Sequence, residues 1–306
     1  MQKPRALKPG NTIGILAPAS NVDPEALGKG VDDLRKKGYQ VRLSSSIYAQ
    51  QRYFAGPHQQ RARDLDDFFV DPGIDAIMCA RGGYGCHHLL PYLEASKIRE
   101  NPKVFIGYSD ITVLLQFLEN QCHVVCFHGP MVAREFGLGE PYYDYATLNE
   151  CITRVAPGQR ITADNVATLR SGTVEGRLTG GCLSLLSALL GTKYEIETHG
   201  KILFLEDVNT KPYQIDRMLM HLKIAGKFEG VRGVIFGEML NCQFPEGESS
   251  DLQSIIGEVL SDFQFPILYG LPSGHTSSGA LTLPFGIHVR LNAEEGFLEL
   301  LEPAVQ

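Results

Sequence analysis

Short apolar runs alternate with amphipathic, helix-like segments through the first part of this chain. The runs are TIGILAPA, YQVRLSS, IDAIMCA, KVFIG and HVVCFHG. A strand, a helix and a second strand in succession form the unit from which parallel sheets are built, because parallel strands need a long crossover connection. We therefore expect an α/β fold whose first domain is a mostly parallel sheet flanked by helices.

The segment that begins at Pro24 carries the signals of both helix ends. Asp23 stands where an N-cap residue belongs, proline occupies the first helical position, and Gly38 stands where a C-cap glycine belongs. Apolar residues recur at i, i+4 and i+7, at Leu27, Val31 and Leu34. The sequence thus predicts a helix that begins at Pro24, ends before Gly38 and buries one face.

The sequence pattern changes near the middle of the 306 residues, which exceed the usual size of a single core. Periodicity weakens between Gly137 and Thr173, and the closing runs ALTLPFG, HVRLN and FLELLE have no helices between them. We expect an N-terminal α/β domain over residues 1–140 and an interdomain connection over 141–173. Residues 174–306 should form a smaller C-terminal mixed α/β domain with a partly antiparallel sheet, each domain having its own core.

Composition argues against several classes of protein. No window approaches the roughly 18 consecutive apolar residues of a membrane span, so we expect a soluble protein with no membrane partner. A formal net charge of −7 without a basic run argues against nucleic acid as a partner. The seven cysteines are scattered, and the N-terminus lacks the apolar stretch of a secretion signal. We therefore expect a cytoplasmic protein with reduced thiols, no disulfides and no metal site.

Three reactive side chains follow directly after apolar, strand-like runs. Ser109 follows the run in KVFIGYSD, Glu206 ends KILFLE, and His275 lies in the loop LPSGH after FPILYG. Ligands and catalytic groups gather at the carboxyl ends of parallel strands, so these side chains are expected to converge. A serine, a carboxylate and a histidine together predict a hydrolase triad.

The stretch Gly107-Tyr108-Ser109-Asp110 joins a predicted strand to a predicted helix, which is the setting of a nucleophile elbow. The next backbone N–H, that of Asp110, would then point toward a developing oxyanion at the helix N-terminus. Helix capping by Ser109 or Asp110 remains the alternative. The G-x-S-x-G signature is not met, because Ile111 occupies the position of its last glycine.

The other two candidates also have alternatives. Glu206 is expected to pair with a histidine, but it could be solvated or paired with Arg217 on the next helix. Asp207 competes with it for the same role. For the base, His275 lies in a polar loop, whereas His128, which ends the strand in FHGPM, is the rival.

Glycines cluster in the stretch ARGGYG at residues 80–85, which follows the run IDAIMC. Consecutive backbone N–H groups in such a loop can bind an anion. An N–H there, assigned to Gly83, together with that of Asp110 would form an oxyanion hole. An ordinary glycine turn or a weak phosphate loop remains open, since neither GxGxxG nor GxxxxGK[ST] is met.

Taken together, the motifs resemble the LD-carboxypeptidase family of serine peptidases, which comprises enzymes of the murein tetrapeptide carboxypeptidase type and microcin C immunity proteins. The motifs are RGGYG, GYSD, HGPM, a glycine pair before a helix, LEDV followed by PYQIDR, and LPSGH, in order along nearly the whole chain. The resemblance implies that Ser109 is the nucleophile, His275 the general base and acid, and Glu206 the residue that orients it. The active site would lie at the domain interface.

The resemblance also implies a substrate and a cellular role. In the family, terminal D-Ala is cleaved from the L centre of a diamino acid, usually meso-diaminopimelate, in cytosolic murein peptides recycled from the cell wall. Such a site must bind a free carboxylate and a zwitterionic side chain, and we assign substrate contacts to Arg81, Gly82 and Tyr84 by charge and position. No cofactor is implied, and a homodimer is the expected assembly although the sequence does not determine it.

One departure from the family and three alternative functions remain. Cys182 stands in GGC where relatives typically carry Gly-Gly-Asn, which leaves fine specificity open. The microcin immunity branch cleaves aminoacyl or peptidyl nucleotides with the same triad, and the lack of tryptophan argues against a nucleobase platform here. A non-catalytic peptide-binding relative would be expected to have lost a triad residue. A metal-dependent hydrolase would lose activity to chelators.

Overall fold

The computed structural model describes residues 1–245, 250–277 and 279–306. The strands are β1 Thr12–Leu16, β2 Gln40–Leu43, β3 Ala76–Cys79, β4 Val104–Gly107, β5 Cys126–His128, β6 Arg160–Thr162, β7 Ala167–Arg170, β8 Thr173–Cys182, β9 Lys201–Glu206, β10 Gly233–Phe236, β11 Ile267–Tyr269, β12 Leu283–Phe285, β13 His288–Asn292 and β14 Phe297–Leu300. The α-helices are α1 Pro24–Lys36, α2 His58–Val70, α3 Ala95–Glu100, α4 Thr112–Phe117, α5 Tyr145–Thr153, α6 Leu183–Leu189, α7 Pro212–Ile224 and α8 Leu252–Val259. Within these residues, no helix is both long and apolar enough to cross a membrane.

The first sheet has the strand order β12-β5-β4-β3-β1-β2 in the described part of the chain. Neighbouring strands from β2 to β5 are parallel, and β12 is antiparallel to β5. This confirms the predicted mostly parallel sheet. Because β1 lies between β2 and β3, the connections after β1 and β3 leave in opposite directions and open a crevice at the carboxyl ends of these strands.

The helix predicted at Pro24 is confirmed as α1, and it supports one wall of that crevice. The Asp23 side chain accepts a hydrogen bond of 2.9 Å from the N–H of Ala26, and Gly38 has the positive φ of a residue beyond a helix end. A Cβ at Gly30 would lie 2.0 Å from the carbonyl oxygen of Val132. The absence of a side chain at residue 30 therefore lets α1 pack directly against the backbone after β5.

The second sheet is mixed, as predicted, with the strand order β6-β14-β13-β8-β9-β10-β11-β7. Its centre, from β8 to β11, is parallel, and antiparallel strands flank it on both sides. Strands β6 and β7 come from residues 141–173, and β12 returns to the first sheet. The sheets thus interleave along the chain, and the domain boundaries at residues 140 and 173 stay a prediction.

The hydrophobic core crosses from one sheet to the other. One cluster contains Ile13 and Phe105 of the first sheet together with Phe204 and Ile235 of the second. A further cluster packs α6, α7 and α8 against the second sheet. One cluster therefore spans both sheets and the other lies within the C-terminal half, which differs from the expectation of one separate core for each domain.

Polar contacts also join α4, which follows Ser109, and the helical turn directly after it to the second sheet. The Gln116 side chain donates to the Gly180 carbonyl at 2.9 Å, and the Cys182 N–H donates to Thr112 Oγ1 at 3.0 Å. The Glu119 carboxylate accepts from Thr179 Oγ1 at one oxygen and from Lys201 Nζ at the other, both at 2.6 Å. The strands β8 and β9 that make these contacts pair with each other, placing Cys182 opposite Glu206. The contacts thus fix the elbow helix relative to the strand that ends at Glu206.

Candidate active site

Strand β4 ends in a sharp turn at Ser109. Ser109 has a φ of +64°, and the 3₁₀ turn Ser109–Ile111 continues directly into α4. A left-handed conformation at a non-glycine residue costs on the order of 1–3 kcal/mol and is concentrated at functional sites. A Cβ at Gly107 would lie 2.9 Å from the Ile111 side chain and 3.2 Å from that of Cys79, so the turn needs glycine there. This is the local geometry of a nucleophile elbow, and the Ser109 side chain does not cap the helix.

The glycine loop after β3 lies directly against Ser109. A Cβ at Gly82 would lie 2.9 Å from Ser109 Cβ, 3.1 Å from its Oγ and 3.4 Å from the backbone nitrogen of Asp110. Ser20 holds the loop from the other side, because its N–H donates to the Gly82 carbonyl at 3.3 Å and its hydroxyl accepts the Tyr84 N–H at 3.0 Å. The loop backbone, with Gly83 at φ +109°, therefore reaches the same point as the elbow.

The carboxylate of Asp110 ties the elbow to the glycine loop, a contact that the sequence analysis missed. Its Oδ2 accepts the Cys86 N–H at 2.8 Å, and the side chain is buried. Burial raises the pKa of Asp110, opposed by the hydrogen bond from Cys86. Asp110 thus has a positioning role through its side chain, while its backbone N–H remains the predicted oxyanion donor.

Arg61 on α2 is a second positioning residue that the sequence analysis missed. Its buried guanidinium donates to the carbonyls of Gly85 at 3.1 Å, Gly56 at 3.2 Å and Pro18. Pro18 lies in the loop after β1 and Gly85 in the loop after β3. One charged group therefore holds these two loops together. The only signal in the sequence is a charged residue on a helix that should bury its apolar face.

Glu206 and His275 form a buried hydrogen-bonded pair. One carboxylate oxygen, Oε2, accepts from His275 Nδ1 at 2.7 Å and from the His275 backbone N–H at 3.1 Å. Glu206 is fully buried, whereas the His275 side chain keeps 17% of its exposure. Arg217 lies over the Tyr213 ring, so the alternative pairing of Glu206 with Arg217 is absent from the structure.

The electrostatics of this pair suit a general base. Burial would raise the pKa of Glu206, but the charges of His275 and His128 and the hydrogen bond from His275 lower it to about 2. Burial lowers the pKa of His275, yet the charge and hydrogen bond of Glu206 outweigh it, and the pKa of His275 is raised above its usual value. An ionised Glu206 keeps a proton on Nδ1 of His275, which leaves Nε2 free to accept one.

Two further carboxylates hold the loops on either side of the pair. Asp207 accepts hydrogen bonds from the N–H groups of Ser184 at 2.8 Å and Val208 at 2.9 Å, so its oxygens are used for loop structure. Glu238, which follows β10, accepts from Thr276 Oγ1 at 2.5 Å and from the Ser277 N–H at 2.9 Å. Glu238 therefore anchors the loop that carries His275, and a carboxylate just after a buried strand was the available signal.

The rival base, His128, is fully buried at the end of β5. Its Nδ1 lies 3.0 Å from Ser273 Oγ, and its Nε2 lies 3.9 Å from Glu206 Oε1. The side chain is thus on the far side of Glu206 from solvent. It has no access to a substrate, which leaves His275 as the candidate base.

Ser109 and His275 open into one cavity of about 430 Å³, which both halves of the chain line. Its lining includes Arg81, Gly82 and Gly83 of the glycine loop, Asp23 and Arg134 from the first half, and Asn209 from the second. The Tyr84 ring packs instead against Phe54 and His88, with centroids 5.7 Å apart in each case, so its substrate contact stays a prediction. Arg134 is a charged lining residue that the sequence analysis missed.

Cys182 occupies a buried position beside the pair. Its Sγ lies 3.3 Å from Ser184 Oγ and 3.8 Å from Asp207 Oδ2, and burial raises the pKa of the thiol well above its usual value. The preceding glycines have φ of +144° and +134°, and a Cβ at Gly180 would lie 1.9 Å from the Phe204 carbonyl oxygen. Gly180 is thus needed to bring β8 close to β9, and Gly181, whose Cβ would lie 2.5 Å from the Thr112 side chain, to bring β8 close to α4.

Comparison with known proteins adds to this geometry. Residues 13–129 match the LD-carboxypeptidase N-terminal domain, and residues 175–291 match the LD-carboxypeptidase C-terminal domain. A probable murein peptide carboxypeptidase of Bacillus subtilis is 36% identical over 295 residues, which cover 96% of this chain and 92% of that protein.

Two solved structures share the fold over nearly their full length. The microcin C7 self-immunity protein MccF of Escherichia coli, in complex with aspartyl sulfamoyl adenosine, is 27% identical, with a TM-score of 0.93 and complete coverage of both chains. The muramoyltetrapeptide carboxypeptidase of Oxalobacter formigenes is 28% identical, with a TM-score of 0.84 and coverage of 95% of this chain and 98% of that one. The protein therefore belongs to the LD-carboxypeptidase family of peptidases.

Proposed function

We propose that the protein is a serine-type LD-carboxypeptidase that removes terminal D-Ala from murein tetrapeptides. The observation that carries the proposal is the convergence of a left-handed Ser109 and a Glu206-bound His275 on one cavity. Nucleophile, base and orienting carboxylate are the parts that acyl transfer by a serine requires. Family membership supports the peptidase activity, and the cavity geometry supports its serine chemistry.

The reaction follows from the roles of these groups. His275 Nε2 accepts the proton of Ser109 as Oγ attacks the carbonyl of the diamino acid, while Glu206 stabilises the imidazolium. The N–H groups of Gly83 and Asp110 donate to the oxyanion. His275 then gives the proton to the leaving amine of D-Ala, and water hydrolyses the acyl-enzyme in the same way.

The charges of the cavity fit the proposed substrate. The two residues that flank the scissile bond, meso-diaminopimelate and D-Ala, present two carboxylates, that of D-Ala and that of the diaminopimelate side chain, and one side-chain ammonium. The lining supplies Arg81 and Arg134 as cations and Asp23 as an anion. One nitrogen of Arg81 donates to the Asn21 carbonyl at 3.1 Å, which fixes the guanidinium and leaves its other donors for substrate. We infer that the arginines bind the two carboxylates and Asp23 the ammonium.

The same proposal covers the cellular setting. A murein tetrapeptide recycled from the cell wall is met in the cytoplasm, and this agrees with free, buried thiols at all seven cysteines. The proposed reaction uses the chain's own side chains and water. A homodimer remains our expectation for the assembly.

The test is mass spectrometry of a meso-diaminopimelate murein tetrapeptide incubated with purified protein and with the Ser109→Ala variant. We expect the wild type to release one D-alanine and the variant to release none at the same protein concentration. Release by both would contradict the role of Ser109. Release by neither would contradict the substrate.

A second candidate is hydrolysis of an aminoacyl nucleotide, favoured by the fold shared with MccF, which has been solved with aspartyl sulfamoyl adenosine. The absence of tryptophan from the chain argues against it, since a nucleobase is commonly bound by stacking. Incubation with an aspartyl adenylate mimic that carries a cleavable amide separates the two. Cleavage of this compound at a higher kcat/KM than the tetrapeptide would make the nucleotide the better assignment.

A further inference from the structure

His128 lies where the first sheet meets the triad candidates of the second. On β5 it is the register partner of Gly107 on β4, two residues before Ser109. On its other side lie Glu206 and the loop that leads to His275. It is therefore a side chain of the nucleophile's sheet that reaches the Glu206 carboxylate and the loop that leads to His275.

The proton on one nitrogen of His128 is fixed by a hydrogen-bond chain. The Ser273 hydroxyl lies 2.9 Å from the Leu281 carbonyl, which can only accept, so the hydroxyl donates there. It must then accept from His128 Nδ1, 3.0 Å away. His128 thus holds the start of the loop 273–275 through a directional contact.

The other nitrogen faces the back of the Glu206 carboxylate. His128 Nε2 lies 3.9 Å from Oε1, and neither atom has a hydrogen-bond partner among the described residues. A Cβ at Gly274 would lie 2.7 Å from His128 Cε1 and 2.9 Å from Glu206 Cδ. The backbone of the loop therefore packs directly against both side chains. The rings of Phe204 and Phe285 close the remaining sides, with centroids 5.2 and 5.6 Å from that of His128.

We propose that His128 is a positioning residue that keeps Glu206 and the loop carrying His275 in the correct position relative to Ser109. With Oε2 committed to His275, the imidazole beside Oε1 blocks rotation of the carboxylate, and the Ser273 contact holds the loop. The inference rests on the proposed triad. A shift of about 1 Å in such an arrangement can lower turnover about a hundredfold without touching the substrate.

The test uses variants that keep one nitrogen at a time. In His128→Asn the amide NH₂ replaces Nδ1 and can still donate to Ser273, but nothing replaces Nε2. In His128→Gln the amide NH₂ reaches toward Glu206 Oε1 instead. His123→Asn is the matched control, because His123 is exposed and has the positive φ that asparagine tolerates.

We expect His128→Asn to lower kcat about ten- to a hundredfold, with KM within about twofold of wild type. His128→Gln should recover part of this loss, and His123→Asn should match wild type. A kcat for His128→Asn within about twofold of wild type would overturn the inference. So would a KM that rises in proportion as kcat falls.

A second measurement needs no substrate and no active enzyme. The proton that His275 Nδ1 shares with Glu206 at 2.7 Å should give a ¹H NMR signal far downfield. We expect that signal to weaken or shift in His128→Asn and in Ser273→Ala, in protein that keeps its circular dichroism, and to persist in His123→Asn. An unchanged signal in both variants would overturn the inference. If wild type released no D-alanine yet the signal still depended on His128, the proposed function would fail and the positioning role would stand.

Discussion

Ser109 and the Glu206–His275 pair are held in place by different physical means. Ser109 is positioned by backbone: its own left-handed φ, and the bare Cα atoms of Gly82 and Gly107 that let neighbouring loops approach it. Glu206 and His275 are positioned by a buried charge and its hydrogen bonds. Steric changes should therefore disable the first half at any pH, whereas changes of charge should disable the second half in a pH-dependent way.

The largest effect is expected from removing either reacting group. Ser109→Ala and His275→Ala should each lower kcat by roughly 10³- to 10⁶-fold while the protein stays folded, because in the proposed mechanism each removes a group used in every proton or acyl transfer. Steady-state release of D-alanine and circular dichroism measure the two properties. Ser45→Ala, an exposed serine away from the cavity, is the control, and near-normal turnover in either active-site variant would contradict the triad.

Ser109→Gly tests whether the backbone at residue 109 is strained, separately from the loss of the hydroxyl group. It should be as inactive as Ser109→Ala but more stable by about 1 kcal/mol, because glycine adopts the left-handed turn without strain. Urea unfolding of the two variants gives the difference directly.

Glu206→Gln should be the next most damaging change, lowering kcat by about 10²- to 10⁴-fold through loss of the carboxylate that orients His275. In wild type, kcat/KM should fall with acid around a pKa above 6.5, because the base must be neutral and Glu206 raises the pKa of His275. The variant lacks that charge, so its acid limb should move to lower pH. A limb that stays in place would mean that His275 is not the titrating base.

The same pair gives a signed prediction for stability. The pKa of Glu206 is lowered from 4.5 to about 2, so its contribution is present above pH 4.5 and is lost as the pH falls toward 2. The pKa of His275 is raised above 6.5, so its contribution is present below pH 6.5 and is lost as the pH rises through the raised value. Urea midpoints should therefore show the largest gap between wild type and Glu206→Gln between about pH 4.5 and 6.5.

Gly82→Ala changes the backbone contacts that position Ser109 and leaves the Glu206–His275 pair unaltered. The added methyl group would lie 2.9 Å from Ser109 Cβ and 3.1 Å from Oγ, and we expect kcat to fall about a hundredfold as the nucleophile is displaced. The acid limb should keep its position, unlike that of Glu206→Gln. Gly28→Ala is the control, because a Cβ there meets nothing within 4 Å on helix α1, and it should raise stability by roughly 0.5–1 kcal/mol.

A smaller effect is expected from changes at Arg81 and Arg134, for which we propose a role in substrate binding. Arg134→Gln and Arg81→Gln should each raise KM for the meso-diaminopimelate tetrapeptide about tenfold or more, the loss expected for one charge-assisted hydrogen bond. One of the two substitutions should raise KM less with a lysine-type tetrapeptide, because that substrate lacks the side-chain carboxylate of the diamino acid. Arg63→Gln, at an exposed position outside this cavity, is the control, and equal losses on both substrates for both arginines would refute the assignment.

The parts of the site that the sequence predicted are local. Ser109, Glu206 and His275 stand just after strand-like runs, and the elbow and glycine loop are short motifs, so each could be placed without knowing its neighbours. Arg61 and Glu238 were missed because their function lies in partners that only the fold brings near, such as the Pro18 and Gly85 carbonyls for Arg61.

The shared core was missed for a related reason. Periodicity shows which face of a strand is buried, but it does not show against what. The return of β12 to the first sheet, next to β5, depends on pairing between residues more than 150 positions apart. The hydrophobic pattern therefore predicted the domain organisation only coarsely, whereas it predicted for most elements whether they are helices or strands.

The choice between Glu206 and Asp207 shows the limit of sequence-based prediction most clearly, because the two carboxylates are adjacent, with Glu206 at the end of β9 and Asp207 just beyond it, and only the fold shows which one meets the histidine. Asp207→Asn is expected to have the smallest catalytic effect, with kcat within about threefold of wild type, since its carboxylate is bonded to Ser184 and Val208. Its cost should appear in stability instead. An amide can accept at only one end, so one part-buried N–H is left without its partner, which should cost about 1 kcal/mol in urea unfolding. A loss of kcat as large as that of Glu206→Gln, without a loss of stability, would make Asp207 the histidine's partner and reverse the assignment.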